Sequence, residues 1–360
     1  MGENPPRSAG ASAQSADVPA TTILDRDPSD APAPTGASPG PAGLGGGGGL
    51  PRRRAFGTER AFRGVTLAAG AAVLVIIVAI AVFLIARAVP ALQANTVNFF
   101  TFQGWFPNDP EPKFGIGALA FGTVLSAVLA LLMAVPVALG IALYLSHYAH
   151  RRIGTTLGFL VDLLAAVPSV VFGLWGREVL YEPVRDLSAW LNKYFNWLPI
   201  FGGDGPFGRS ILLGSLVLAI MVLPIVTSLS REVFLQTPAA NQEAALALGA
   251  TRWEMIRTAV LPYGRPGIVA AVMLGLGRAL GETIALALTL NMTFGISVNL
   301  IENGGNTIAA NIANAFGEAG DTGRGALIAS GLVLFAITLI VNITARAILY
   351  RRREFTESAA

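Results

Sequence analysis

The chain has no cysteine, only two histidines and two lysines, and just 13% of its 360 residues are charged. Each scarcity removes a class of chemistry. Without cysteine there is no disulfide, no thiol nucleophile and no thiolate metal site. His147 and His150 are too few for a histidine-built metal centre. A nucleotide-binding P-loop needs a lysine after its last glycine, so that backbone amides and an ammonium share the phosphates. Lys113 follows Pro112 and Lys193 follows Asn192, so the chain has no Gly-Lys pair and no P-loop of its own. There is no HExxH motif and no pair of acids within one apolar stretch, which leaves hydrolytic chemistry without a site. The chain is not expected to be an enzyme.

Apolar residues are what the chain has in abundance, at 53%. A soluble domain normally carries about a quarter charged residues to cover its surface, so this composition belongs to the membrane class. Crossing a hydrocarbon core of roughly 30 Å takes about 20 apolar residues as helix. Six stretches qualify: 65–86, 114–146, 153–175, 210–230, 267 to about 298, and 326–345. The expected fold is therefore an all-α polytopic membrane protein of about six transmembrane helices, with the membrane domain over 56–354. The first 55 residues differ in kind, being rich in Ala, Pro, Gly and Ser and including the run Gly45 to Gly49. Such a segment buries too little apolar surface to offset its ordering entropy and is expected to be a disordered cytoplasmic tail. It lacks the apolar core of a cleaved signal peptide. A short tail is expected over 355–360.

Orientation follows from arginine and lysine placement. With the N-terminus inside, the inner segments hold Arg52 to Arg54, Arg60, Arg63, Arg151, Arg152, Arg231, Arg252, Arg257, Arg265, Arg346 and Arg351 to Arg353. The outer segments hold far fewer, among them Arg87, Arg177, Arg209 and Arg324. Both termini are expected on the cytoplasmic side. The outer loop 177–209 carries Trp190, Tyr194, Trp197 and Phe201, amphipathic aromatics that favour the headgroup level. Interfacial anchoring and a surface for an external partner both fit it.

The cytoplasmic segment of about 236–262 has its own pattern. Thr237-Pro238 reads as a helix start, Gly249 as a left-handed stop, and Thr251-Arg-Trp-Glu254 as a capping box opening a second helix. Pro262 interrupts again before the chain re-enters the membrane. The first helix is expected to show Ala244, Ala245 and Leu248 on one side, a surface suited to a groove on another protein. In the fifth apolar stretch, Arg278 and Glu282 stand four apart and would share a helix face. A charge at bilayer depth costs about 2.5–3.5 kcal/mol on insertion scales, so such residues face a cavity or a partner. Arg278 would offer a planar fork to a passing oxyanion with Glu282 orienting it, or the two would form a structural ion pair. Gly275, Gly277 and Gly281 would let neighbouring helices approach. Pro136, Pro168 and Pro224 read as kinks, and Asp162 has no assigned role.

Glu243-Ala244-Ala245, Gly249 and Leu261-Pro262 resemble the EAA loop of ABC importer permeases, at family spacing except for Ala259, where the family often has isoleucine or valine. Gly277 to Thr283 (Gly-Arg-Ala-Leu-Gly-Glu-Thr), Ala166 to Gly176 in the third stretch, and Gly331 to Arg346 are similar to permeases of phosphate-specific importers, the PstC side of the PstC/PstA pair. The resemblance covers about 60–354. It implies the type I importer fold, a coupling role for Glu243, Ala244, Ala245, Gly249, Leu261 and Pro262, and a pathway role for Arg278 and Glu282. It also implies the partners: a PstA-like second permease, two PstB-like ATPases holding ATP and Mg, and an external PstS-like phosphate-binding protein. The chain itself would hold no cofactor, would sit among lipids in a bacterial inner membrane, and would bind no nucleic acid. Importers of molybdate, sulfate or phosphonate share this architecture, and an ion-coupled secondary phosphate transporter would leave the EAA loop unexplained.

Overall fold

The computed structural model describes residues 55–357, with side-chain surroundings for 61–347. Apart from Ala55, the expected tail over 1–55 lies outside the described residues, as does 358–360; residues 355–357 continue the last helix rather than forming a tail. Helix α1 (Ala55–Ala94) runs uninterrupted through its apolar stretch, with Pro90 near its outer end. A two-residue antiparallel pair, β1 (Trp105–Phe106) and β2 (Lys113–Phe114), folds the outer loop back, with Trp105 opposite Phe114. Their rings lie 5.6 Å apart over the fully buried Phe114. Helix α2 (Gly117–Leu143) follows and ends in a wide π turn, Tyr144–Tyr148.

The third apolar stretch departs from expectation. Helix α3 (Arg151–Ala165) stops before Pro168, and the chain resumes as α4 (Ser169–Trp175), a π turn and α5 (Tyr181–Phe195), the two halves bent by 89°. Proline supplies no amide hydrogen and crowds the preceding turn, which is enough to break a helix here. Helix α6 (Ile211–Leu235) is capped by Ser210, whose hydroxyl accepts the Leu213 amide at 3.4 Å. The hairpin expected on the cytoplasmic side is α7 (Ala239–Ala247) and α8 (Arg252–Met255), continuing through a π turn into α9 (Leu261–Gly281). The fifth stretch also breaks: α9 ends at Gly281, α10 (Ile284–Thr289) is a short separate piece, and 290–307 has no helix. Helices α11 (Ile308–Ala315) and α12 (Asp321–Glu357) complete the chain. Among the described residues, five helices are long and apolar enough to span a membrane, or six if the bent pair is one span.

The core forms where small side chains let helices close up. Along α2 the residues Ala127, Ala130, Ala134 and Ala138 recur at helical spacing and are buried in one cluster with Val217, Leu218, Met221, Val222 and Val226 of α6. The Thr227 hydroxyl donates to the Ala138 carbonyl at 3.4 Å across that seam. Gly275 of α9 lies against Val222 and Val226, close enough that a Cβ there would come within 2.7 Å of Val222. The short pieces α4 and α10 pack on each other, since a Cβ on Gly173 would stand 2.8 Å from the Ala285 Cα. Two half-helices, one from each broken stretch, therefore meet inside the fold.

Candidate functional site

Two places gather the residues singled out by sequence. The first is the hairpin of α7 and α8. Pro238, not Thr237, occupies the cap position of α7, and the Thr237 hydroxyl is buried without a hydrogen-bond partner among the described residues. No residue of α7 is buried. At its end the Gly249 amide donates to the Leu246 carbonyl at 3.0 Å and the Ala250 amide to the Ala245 carbonyl at 3.2 Å, a Schellman closure. It needs Gly249 at φ +85°, a left-handed conformation that costs a residue with Cβ roughly 1–2 kcal/mol. Thr251 and Glu254 then form the capping box: the Thr251 amide donates to Glu254 Oε2 at 2.8 Å and the Glu254 amide to Thr251 Oγ1 at 3.3 Å.

The hairpin thus has a fixed elbow, and Leu248 stands at its tip 90% exposed. Leu246 and Trp253 are exposed beside it, and Glu243 and Ala244 face solvent from α7. Ala245 does not join them. It packs against the cluster of Ala142, Phe234, Met255, Ile256 and Val260, so that side of α7 is the hairpin's own footing. Leu261 belongs to the same cluster and Pro262 is exposed at the start of α9. The alanines at adjacent positions divide between the two faces because successive helical residues point about 100° apart.

The second place is α9. Arg278 and Glu282 do not form an ion pair within 4.0 Å: α9 ends at Gly281, Glu282 has an extended backbone, and the shared face does not exist. Glu282 is 8% exposed and its Oε1 accepts the Ala285 amide at 3.2 Å, closing the first turn of α10. Arg278 is half-buried, and its Nε is buried without a partner among the described residues. It lines a cavity of about 680 Å³ with Ile225 of α6, Leu274 and Gly277 of α9, and Asn342 and Arg346 of α12. Gly277 and Gly281 have open space where a side chain would be, so of the three glycines only Gly275 serves helix packing. The cavity thus holds two guanidinium groups, Arg278 and Arg346, with no acidic partner within 4.0 Å among the described residues, and these can attract and orient an oxyanion.

Because Glu282 acts as a cap, Glu282→Gln, which keeps an acceptor, should leave thermal unfolding of the assembled protein unchanged. Glu282→Ala should destabilise it by about 1 kcal/mol or somewhat more, the usual cost of a lost cap. Equal destabilisation by both would show that the charge, rather than the acceptor, matters.

Sequence reading missed Arg209, whose Nη2 donates to the Leu288 carbonyl at 2.8 Å and pins the far end of α10. A cation at a helix C-terminus is a recognisable device, but it shows only once α10 is known to end there. Asp162 is exposed on α3 with no ion pair among the described residues. On α5, Val184 and Ser188 are buried while Trp190, Tyr194 and the following Trp197 are exposed, the one-sided pattern of an interfacial helix.

The described residues thus form a polytopic helical bundle with two broken stretches, a cavity lined by Arg278 and an exposed hairpin. Residues 134–354 match the family of binding-protein-dependent transport system inner membrane components. The phosphate transport system permease protein PstC 2 of Mycobacterium tuberculosis is 48% identical over 295 residues, covering 81% of this chain and 91% of that protein. PstC of Xylella fastidiosa (strain Temecula1) is 40% identical over 294 residues, covering 81% and 90%. Among solved structures, a bacterial ABC transporter involved in import of the acidic polysaccharide alginate aligns at a TM-score of 0.48 and 19% identity, covering 80% of this chain and 99% of that one. The chain belongs to the binding-protein-dependent transport inner membrane components and, within them, to the PstC phosphate transport permeases.

Proposed function

We propose that this chain is one of the two permease subunits of an ATP-driven importer of inorganic phosphate in a bacterial inner membrane. The relatives named for phosphate transport support the cargo. The observation that carries the mechanism is Arg278, half-buried in a cavity of about 680 Å³ with its Nε unpartnered. Phosphate delivered by an external binding protein would pass the open face of α9, where the guanidinium fork replaces part of its lost hydration. A PstA-like subunit would supply the facing wall. Two cytoplasmic ATPases, which hold the ATP and Mg, would each receive a hairpin, here the exposed Glu243, Ala244 and Leu248 with Gly249 fixing the elbow. Leu261 and Pro262 then pass the motion into α9. Each state of the cycle must be favoured by a different ligand, with ATP stabilising one packing and its release the other.

The test is uptake of labelled phosphate by vesicles holding the full complex and loaded with ATP. Phosphate should accumulate only when ATP is hydrolysed, and sulfate or molybdate in excess should not compete. Uptake without ATP would place the chain among ion-coupled carriers, and competition by molybdate would reassign the cargo.

A further inference from the structure

A cleft of about 590 Å³ lies between the outer ends of α1 and α12, lined by Arg87, Pro90, Phe316, Asp321, Thr322 and Arg324 among others. It shares no lining residue with the Arg278 cavity and has no part in the transport reading. We propose that it binds the headgroup of a phospholipid of the outer leaflet, with Arg87 and Arg324 clasping the phosphodiester and Asp321 accepting a hydrogen bond from the headgroup's terminal hydroxyl or ammonium.

Depth is the first argument. The charge-free run of α1 ends at Arg87 after 65–86, and that of α12 begins just after Arg324 and lasts to 345. At 1.5 Å per residue each run is about as long as the hydrocarbon core is thick, so both arginines come to the headgroup level on the same side. The helices also meet there. Ala91 and Gly325 are buried against each other, and a Cβ on Gly325 would stand 3.1 Å from the Arg87 carbonyl oxygen.

The chemistry of the walls is the second argument. Neither arginine has a carboxylate within 4.0 Å among the described residues, whereas the outer arginines Arg177 and Arg185 each pair with an acidic neighbour. Arg87 rests over the Phe83 ring at 5.6 Å and Arg324 over the Phe316 ring at 6.0 Å, which steadies each guanidinium while leaving its donors free. Two such forks suit a phosphate, and guanidinium binds phosphate in a planar, paired geometry. One and two turns before Arg87 on the same side of α1, Phe83 and Ile80 are exposed, an apolar wall on which acyl chains can lie. Asp321 would repel a bare phosphate dianion. It favours headgroups that end in a hydrogen-bond donor, as glycerol and ethanolamine do and choline does not.

The assembled transporter, purified in detergent and exchanged into defined lipid, should retain one phosphatidylglycerol or phosphatidylethanolamine per chain at this site by native mass spectrometry, and far less phosphatidylcholine. Arg87→Gln with Arg324→Gln should lower that retention by roughly thirtyfold, the effect of two basic residues near a membrane surface. Arg177→Gln, outside the cleft, should leave it unchanged. Equal retention of phosphatidylcholine in the unaltered protein, a comparison that needs no variant, would overturn the proposal. So would a double variant that holds lipid normally. Displacement of the lipid by inorganic phosphate would make this a free-phosphate site instead, and a double variant that keeps its lipid but loses the external binding protein would make the cleft a protein-docking surface.

Discussion

Arg278→Gln is expected to reduce ATP-dependent phosphate uptake by about 10- to 150-fold while leaving assembly and thermal stability intact. The magnitude follows from the roughly 1.5–3 kcal/mol carried by hydrogen bonds to a charged group. Stability should survive because Arg278 makes no ion pair within 4.0 Å, so its replacement breaks no packing contact of that kind. Arg278→Lys separates two explanations: it keeps the charge but loses the fork, and should restore only part of the rate. The measurement is initial uptake rate in reconstituted vesicles, with ATP hydrolysis and melting temperature followed alongside. Normal uptake by Arg278→Gln would remove the residue from the pathway. A variant that unfolds would show that the buried Nε has a structural partner in the assembled complex.

Leu248→Asp is expected to abolish co-purification of the cytoplasmic ATPase. Leu248 is 90% exposed at the tip of an elbow fixed by a Schellman closure on one side and a capping box on the other. An apolar side chain held out in this way loses nothing within its own fold when replaced. In a partner's groove, however, burial of a leucine contributes about 1.5–3 kcal/mol. Putting a carboxylate there adds a desolvation cost, so the affinity should fall by at least about a hundredfold. Ala245, turned into the hairpin's footing, gives the contrasting result: enlarging it should lower stability of the permease itself, because it packs on Ala142 and Phe234. Wild-type ATPase binding by Leu248→Asp would move the docking surface elsewhere on the hairpin.

The hairpin was legible in the chain almost residue by residue, since its signals are local. A left-handed glycine and a threonine followed three residues later by a glutamate each act on their immediate neighbours, and Gly249, Thr251 and Glu254 behave as expected, whereas Thr237 does not cap α7 and Pro262 does not interrupt the helical run Arg252–Gly281. The face of Ala245 was not legible, because which side of α7 meets the bundle depends on Phe234 and Met255, distant in sequence or across the elbow. The same limit applied at Arg278 and Glu282. Spacing of four predicts a shared face only if the helix continues, and the one local stop signal, Gly281, stands among three glycines that read equally well as helix-packing positions.

The sequence by itself determined that this is a polytopic helical membrane protein with no cysteine and no Gly-Lys pair, and where the elbow between its fourth and fifth apolar stretches lies. Those properties depend on composition, on the length of apolar runs and on caps, all of which act over a few residues or on whole stretches. Only the tertiary structure decided that two of the six stretches are broken, that α4 and α10 meet at Gly173 and Ala285, and that Glu282 caps a helix rather than pairing with Arg278. It alone brought Arg87 beside Arg324, more than 200 residues apart in sequence. Such pairings are set by how close two backbones can come, and that depends on small residues facing each other across helices, a coincidence that no single stretch of sequence records.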